Sequence, residues 1–176
     1  MAAVEPVEIN AGKYYLRQLR ADDRIDDRPS ILDAFADPVS RRWINHRIVD
    51  LAGAGDYVAL RAKQWADDER CSWAVADQNT GELLGEVGLK DLDLIAGSAA
   101  AACWAAPRHR NRGVVSEGLA AAIRFGAGAL GLLRVDYLFQ DGNEPSRRVA
   151  EKCGFGYHRT RDEGGAKVHV WTRSLV

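Results

Sequence analysis

Residues 99–130 read AAAACWAAPRHRNRGVVSEGLAAAIRFGAGAL. The small apolar residues up to Trp104 predict a buried strand, and an apolar segment with helical periodicity begins at Ser116. Between the two lies a cluster of hydrogen-bond donors, residues 108–113. A strand, a basic glycine-containing turn and a helix N-terminus together make an anion site, because free N–H groups and the helix dipole favour negative charge there. The stretch therefore predicts a bound phosphate or pyrophosphate.

The composition is that of an ordinary globular protein. With 176 residues, 47% of them hydrophobic and 28% charged, the chain is long enough for one well-filled core. Its net charge of −1 gives no overall field that would favour nucleic acid or an anionic membrane surface. The basic residues are instead concentrated locally, in residues 108–112 and 147–152. We therefore expect a single domain over residues 1–176 whose partners are neither nucleic acid nor membrane.

The cysteines and the start of the chain bear on metals and location. Cys71, Cys103 and Cys153 lack the spacing of a metal-ligand set, so no metal site is expected. An odd number of cysteines, and a start (MAAVEPVEIN) without the basic and apolar regions of a signal peptide, indicate reduced thiols in the cytoplasm. No apolar run reaches the length that a membrane helix needs.

Hydrophobic periodicity and turn residues predict a mixture of strands and helices. Residues 1–12 are expected to be a loose lead-in. The elements expected next are a strand at 14–19, helices at 30–36, 39–48 and 57–69 with a loop or cap at 53–56, strands at 73–75 and 83–89 around a hairpin turn, and a loop at 91–97. After the quoted stretch, the expected elements are a strand at 133–140, a short helix that starts at Pro145 and ends before Gly154, and a hairpin of 157–160 with 167–175. This order predicts an α/β domain of the α+β kind, with helices packed on a mixed sheet.

Two motifs carry a resemblance to a known family. Residues 110–119, RNRGVVSEGL, and residues 132–160, LLRVDYLFQDGNEPSRRVAEKCGFGYHRT, resemble the GCN5-related N-acetyltransferases (GNAT). Within that superfamily the chain looks most like the branch that acetylates the N-terminal alanine or serine of ribosomal proteins. The cofactor signature of the superfamily, Q/R-x-x-G-x-G/A, falls on residues 110–115. The second signature of the branch is an Asn, a Ser three residues later and then a Gly-Phe pair, found here as Asn143, Ser146, Gly154 and Phe155.

The resemblance implies both a fold and a cosubstrate. The fold would be the GNAT acyl-CoA N-acyltransferase fold, a central, mixed and mostly antiparallel sheet flanked by helices. The cosubstrate would be acetyl-CoA, with its pantetheine arm along the strand end and its pyrophosphate on N–H groups of the turn and helix start. The residues implied to bind it are Cys103, Trp104, Ala105, Arg110, Asn111, Arg112, Gly113, Val114, Val115, Ser116 and Asn143. Asn143 would bond the pantetheine amide, although it could instead cap the short helix.

The reaction implied is the transfer of an acetyl group to a primary amine, which attacks the thioester directly. The amine must lose a proton to a base, and the departing thiolate benefits from an acid. Many relatives use a tyrosine as the acid. The corresponding residue here is Ala150, so Ser146 is the candidate acid, with helix capping as its alternative role. Residues 99–102 carry nothing ionisable, and Glu86 is the first candidate base because its strand is expected beside the cofactor strand. The further candidates are Asp91, Asp162, Glu163 and His169.

The sequence leaves the acceptor open. In such folds the early helices, about residues 30–69, and the last hairpin build the acceptor pocket. A protein or peptide N-terminus, a free amino acid, a polyamine and an antibiotic amine all fit the pattern as acceptors. The sequence is also compatible with a homodimer.

A non-catalytic acyl-CoA-binding or sensor module of the same fold is the alternative function. Three departures favour it: Ala150 in place of the tyrosine, no carboxylate on the cofactor strand, and Val115 where the signature has Gly or Ala. A protein that binds nucleotide phosphates is a weaker third hypothesis, since the sequence has neither a G-x-x-x-x-G-K-[ST] loop nor a dinucleotide glycine fingerprint.

Overall fold

Eight strands form a single sheet in the computed structural model, which describes residues 4–176. The strands are β1 (Ile9–Ala11), β2 (Tyr14–Arg17), β3 (Arg70–Asp77), β4 (Leu83–Asp93), β5 (Ser98–Ala105), β6 (Arg134–Gln140), β7 (Gly156–Glu163) and β8 (Ala166–Ser174). The helices are α1 (Arg28–Ala36), α2 (Pro38–Arg41), α3 (Leu51–Ala66), α4 (Val114–Ala129) and α5 (Glu144–Lys152). The strand order is β1-β2-β3-β4-β5-β6-β8-β7, and every neighbouring pair is antiparallel except β5 with β6. The expected mixed, mostly antiparallel sheet flanked by helices is thereby confirmed.

The single parallel pair, β5 with β6, opens a gap in the sheet. The two strands pair only from Ser98 opposite Arg134 to Ala101 opposite Tyr137. Beyond that point β5 keeps its partner on the other side, β4, through Cys103 and Ala105. The carboxyl ends of parallel strands lie at the same edge of a sheet, and ligands of α/β proteins bind there. The gap is therefore the natural place for a site.

Helix α4 packs close to the sheet because two of its residues on that face are glycines. A Cβ atom added to Gly118 would lie 2.6 Å from the Cγ2 atom of Val75, and one added to Gly126 would lie 2.9 Å from side-chain atoms of Leu89 and Leu132. The neighbouring residue of β3, Ala74, belongs to a second apolar cluster formed with α1 and α3. Helices thus cover both faces of the sheet. Among residues 4–176, none of the helices is long and apolar enough to cross a membrane.

Two expected loops turn out to be regular structure. Residues 53–56 lie inside α3, which begins at Leu51 because the Asp50 side chain accepts the N–H of Gly53 and caps the helix. The expected loop at 91–97 is shorter, since β4 continues to Asp93 and pairs there with Ser98 of β5.

The described part of the lead-in, residues 4–12, and the second helix also differ from the expectation, and residues 1–3 lie outside the described residues. The lead-in contains β1, whose residues pair with β2 from Ile9 opposite Leu16 to Ala11 opposite Tyr14. The helix expected over 39–48 ends at Arg41, and the N–H groups of Trp43 and Ile44 share the carbonyl of Ser40 just after it. The chain that follows α2 is therefore an irregular segment.

Candidate active site

A cavity of about 300 Å³ lies at the carboxyl ends of β5 and β6. Its walls come from β5, the loop before α4, the start of α4, α5, and α2 with the residues after it. The predicted site residues that line it are Cys103, Trp104, Ala105, Arg110, Asn111, Gly113, Val114, Val115, Ser116, Asn143 and Ser146. The structure thus brings both sequence motifs to one place. Two predicted residues, Glu86 and Arg112, do not line the cavity.

The start of α4 presents uncapped N–H groups to the cavity. Gly113 is the N-cap residue, with a φ of 78°, and it makes no side-chain cap hydrogen bond. Asn111 also has a positive φ, 60°, a conformation that asparagine tolerates. The first N–H groups of a helix have no partner within it, and α4 leaves those of Val114, Val115 and Ser116 in the cavity wall. This geometry fits an anion.

Basic side chains stand on the opposite wall. Arg148 and Lys152 of α5 line the cavity, and neither is paired with a carboxylate of residues 4–176. Arg110, in contrast, donates hydrogen bonds to the Asp37 carboxylate at 2.6 Å and to the Ser40 hydroxyl at 2.8 Å. Both bonds come from Nη2, so the guanidinium is held against α2 while its Nε and Nη1 groups remain as donors. Arg110 lines the cavity as the first motif predicts, and its contact with the cofactor stays a prediction.

Arg112 contributes through its backbone instead of its side chain. Its carbonyl accepts the hydroxyl of Tyr14 at 3.0 Å. That bond ties the loop before α4 to β2. The loop is therefore anchored from two sides, by Tyr14 and by the pairing of Arg110 with Asp37.

The second motif forms a hydrogen-bonded group at the gap. The Asn143 side-chain oxygen accepts the N–H of Ser146 at 3.2 Å, so Asn143 caps α5. This bond uses the amide oxygen and leaves the amide NH₂ as a donor. Asn143 can therefore cap the helix and donate into the cavity at the same time.

Tyr137 of β6 joins this group, and the sequence did not reveal it. Its hydroxyl lies 3.4 Å from the Ser146 hydroxyl, to which it donates, and 3.2 Å from the Cys103 sulfur. Burial raises the pKa of Tyr137 well above its usual value of 10 and raises that of Cys103 to about 11. Both groups therefore hold their protons at neutral pH. Tyr137 lies on the same face of β6 as Val135 and Phe139, all three buried. This is the pattern of core residues, so no sequence signal separated Tyr137 from the other two.

Glu86 is placed where a general base cannot act directly on a bound amine. Its carboxylate is 1% exposed and accepts hydrogen bonds from four side chains. These are Arg61 at 3.0 Å, Arg70 at 3.3 Å, Trp104 at 2.8 Å and Tyr57. A carboxylate offers about four lone-pair sites, and all of them are used. The structure contradicts the expectation of a base at Glu86 and makes it the residue that fixes Trp104 in the cavity wall.

The remaining candidate acid and base residues lie outside the cavity. Asp91, Asp162 and Glu163 are exposed, and His169 lies between Thr160 and Asp141 on the surface of the last hairpin. Ala150, at the position of the usual tyrosine, is fully buried and does not line the cavity either. Within residues 4–176, no cluster of three or more His, Cys, Asp or Glu side chains is arranged to hold a metal ion.

Comparison with known proteins agrees with this geometry. A sequence model described as the acetyltransferase (GNAT) domain matches residues 14–156. The chain is similar to YoaA of Bacillus subtilis (strain 168), an uncharacterized N-acetyltransferase, with 26% identity over 130 residues and 73% of each chain covered.

Solved structures show the same fold. A Vibrio cholerae protein assigned as a ribosomal-protein-serine acetyltransferase superposes with a TM-score of 0.82 at 19% identity, covering 96% of this chain and 97% of the other. The microcin C7 self-immunity acetyltransferase MccE, solved with acetyl-CoA and AMP, gives a TM-score of 0.82 at 12% identity, covering 98% and 99%. At such identities the likeness concerns the fold alone.

Proposed function

The chain belongs to the GNAT acetyltransferase family, and on that premise we propose that it transfers an acetyl group from acetyl-CoA to a primary amine. The amine attacks directly while both substrates are bound. The observation that carries this proposal is the composition of one cavity. The uncapped start of α4 lines one part of it, and Tyr137, Cys103 and Ser146 lie together at the gap in the sheet.

Acetyl-CoA fits the residues present. The N–H groups from Asn111 to Ser116 suit its pyrophosphate, with Arg148 and Lys152 as the unpaired cations nearby. The edge of β5 beyond Ala101 lacks a partner strand, so its backbone groups at Cys103–Ala105 are free to bond the amides of pantetheine. The NH₂ group of Asn143 adds a donor on the other side of the gap.

When bound, acetyl-CoA supplies the thioester carbonyl as electrophile and the sulfur as leaving group. A carbon–nitrogen bond forms, the carbon–sulfur bond breaks, and the sulfur requires a proton. Ser146 donates that proton, or shares it in a hydrogen bond, and Tyr137 replaces it through the hydroxyl that points at Ser146. Tyr137 regains its proton from the solvent, into which the proton of the amine is released, so that one proton is lost and one is gained in each turnover. The raised pKa of Tyr137 keeps this second donor protonated at neutral pH.

The proton of the amine leaves through water. No Asp or Glu of residues 4–176 lines the cavity, and Glu86 has no free lone pair. A water that reaches the cavity mouth can carry the proton to solvent. This differs from a mechanism with a dedicated carboxylate base.

For the acceptor we propose only a broad class, a primary amine on a peptide or on a small molecule. Proteins of the same fold include one assigned as a ribosomal-protein-serine acetyltransferase and a self-immunity acetyltransferase solved with acetyl-CoA and AMP. They support either a peptide N-terminus or a small amine as the acceptor. We place the reaction in the cytoplasm, since the three cysteines are unpaired thiols, as in a reducing compartment.

A non-catalytic acyl-CoA sensor remains the second candidate, because Ala150 stands where many relatives have a tyrosine and Glu86, the first candidate base, has no free lone pair. A thiol-release assay with acetyl-CoA and a panel of amines distinguishes the two functions. The panel contains peptides with N-terminal Ala or Ser, amino acids, polyamines and aminoglycosides. Thiol release well above the hydrolysis blank with any amine supports the enzyme. A flat panel, together with calorimetric binding of acetyl-CoA, supports the sensor.

A further inference from the structure

The charged residues of the cavity wall are all basic. Arg110, Arg148 and Lys152 line it, together with His109, whereas no Asp or Glu of the described chain does. Of these, Arg110 and His109 are paired with carboxylates that lie outside the wall, on Asp37 and Glu82. No carboxylate of the described chain in the cavity wall could therefore pair with the ammonium groups of a polycationic substrate, and Arg148 and Lys152 are the cations proposed for the pyrophosphate of acetyl-CoA.

The irregular segment after α2 adds further positive charge. We call residues 41–47 the basic segment; its basic residues are Arg41, Arg42, His46 and Arg47, of which the three arginines carry the positive charge at neutral pH. The acidic residues on either side, Asp37 and Asp50, accept backbone N–H groups as helix caps. Across residues 4–176, no carboxylate lies within ion-pair distance of the three arginines. Their charge is not neutralised by the protein.

The basic segment runs along one side of the cavity. Trp43 and Ile44 of the segment line the cavity, and the guanidinium of Arg42 lies 4.7 Å from the centre of the Trp43 ring. At its far end the ring of His46 contacts the ring of Tyr57, with 5.4 Å between centres. Tyr57 in turn touches Trp104, which forms the cavity wall there. The segment therefore follows the part of the wall formed by Trp43, Ile44 and Trp104, and its arginines lie beside the cavity, outside its lining.

A buried charged cluster lies behind Trp104. It contains two guanidinium groups, Arg61 and Arg70, and one carboxylate, Glu86. Tyr57 stays neutral, because burial raises its pKa above the usual value. The cluster thus has a formal charge of +1. Burial, followed by the charges of Arg61 and Arg70, lowers the pKa of His46 against the opposing effect of Glu86, so this histidine adds little positive charge at neutral pH.

We infer that the acceptor is an amine that carries a negatively charged group, a carboxylate or a phosphate, close to its amino group. This rests on the proposed acetyl transfer and narrows its substrate class. Complementary charge attracts such an amine to the cavity mouth and orients it, while polycationic amines are repelled. Of the acceptors that the sequence left open, polyamines and aminoglycosides are thereby disfavoured.

Matched pairs of amines test the inference. L-alanine is compared with L-alaninamide, and O-phosphoethanolamine with ethanolamine; spermidine and an aminoglycoside are the cationic probes. We expect kcat/KM to be roughly tenfold higher for the anionic member of at least one pair, the size expected from about 1.4 kcal/mol. The two pairs distinguish a carboxylate from a phosphate. Higher salt should reduce the preference, because salt screens exposed charges. Equal rates within both pairs, or faster reaction of spermidine, would overturn the inference.

A variant pair locates the effect. Arg42→Gln should reduce the preference for the anionic amine roughly fivefold and leave the Kd of acetyl-CoA unchanged, as expected for loss of about 1 kcal/mol. Arg124→Gln, at an exposed position of α4, is the control and should change neither. A weaker Kd for acetyl-CoA in Arg42→Gln with an unchanged preference contradicts the inference.

Failure of the proposed reaction gives a different result. If acetyl-CoA binds but no amine is acetylated, acetyl transfer itself fails. Calorimetric binding of the same pairs to the protein–CoA complex then decides the inference, and equal affinities within both pairs overturn it.

Discussion

The guanidinium of Arg110 donates a hydrogen bond to the carboxylate of Asp37 over 2.6 Å, between residues 73 positions apart in the chain. Asp37 also caps α2 by accepting the N–H of Ser40. One carboxylate therefore joins the loop before α4 to α2, the helix from which another part of the cavity wall begins. Binding at the loop and the position of that wall are mechanically connected through this residue.

We predict that Asp37→Asn weakens this connection without removing the helix cap, because asparagine caps as well as aspartate. The KM of the acceptor should rise roughly fivefold, the equivalent of about 1 kcal/mol, and the Kd of acetyl-CoA should change less. Asp50→Asn is the matched control, since Asp50 caps α3 without an arginine partner. Steady-state kinetics and calorimetry on both variants measure this. Equal effects of the two substitutions would show that only capping matters.

The same ion pair should contribute to acid stability. Burial opposes ionisation of Asp37, but the hydrogen bonds from Arg110 and the N–H of Ser40 outweigh it and lower the pKa from 3.8. A carboxyl with a lowered folded pKa stabilises the protein above its unfolded pKa, and this contribution disappears as the pH falls through the folded value. The difference in unfolding free energy between wild type and Asp37→Asn should thus shrink between pH 6 and about pH 3. A difference that stays constant with pH in denaturant titrations would contradict this.

Replacing two glycines of α4 by alanine should change the free energy of unfolding in opposite directions. Gly118→Ala places a Cβ atom 2.6 Å from the Val75 side chain, and we expect a loss of about 1–3 kcal/mol of stability from overpacking. Gly128→Ala meets no atom within 4 Å in the same helix and should gain up to about 1 kcal/mol from helix propensity. Urea unfolding of both variants tests the pair. A neutral Gly118→Ala would mean that α4 shifts away from the sheet without cost.

The Tyr137 and Ser146 hydroxyls should act as one unit. We expect Ser146→Ala to lower kcat roughly a hundredfold and Tyr137→Phe roughly tenfold, within the usual range for proton-transfer groups. The double variant should be no slower than Ser146→Ala alone, because Tyr137 works through Ser146. The Kd of acetyl-CoA should stay within about twofold in all three. Effects that multiply in the double variant would rule out the chain of hydrogen bonds.

Asn143 should have two separable roles. Asn143→Ala removes both the cap and the donor, so stability falls by about 1 kcal/mol and acetyl-CoA binds more weakly. Asn143→Asp keeps a cap, since aspartate accepts the N–H of Ser146, but lacks the NH₂ donor. This variant should retain stability and still lose affinity. Thermal unfolding and calorimetry measure the two effects, and unchanged affinity in both variants would remove Asn143 from the binding site.

The turn and the two helix starts that line the cavity were predictable from the sequence, because their signals are local. Gly113 needs a positive φ, the turn carries consecutive donors, and the helix begins directly after it, all within a few residues. Asn143 and Ser146 are likewise three residues apart on one helix start. Such features depend on the backbone preferences of a few consecutive residues, and these can be read from the sequence alone.

The proton-handling side was not predictable, since it depends on strand register and long-range pairing. Glu86 was correctly expected in the strand beside the cofactor strand, where it lies opposite Trp104. Its role depends on Arg61 and Arg70, which reach it from α3 and β3, and no local pattern shows that. Tyr137 meets Cys103 only because the parallel register sets Ala101 opposite Tyr137.

The four paired positions between β5 and β6 also affect how the protein unfolds. The ladder from β1 to β5 and the one from β6 to β8 are each long and antiparallel, and few backbone bonds join them. Each ladder is therefore a candidate cooperative unit, able to open before the other. A ligand lying in the gap would replace the missing bonds and couple the two units. The cosubstrate would then act as a structural cross-link, and amide hydrogen exchange in β6 to β8 would report the occupancy of a site formed largely by other elements.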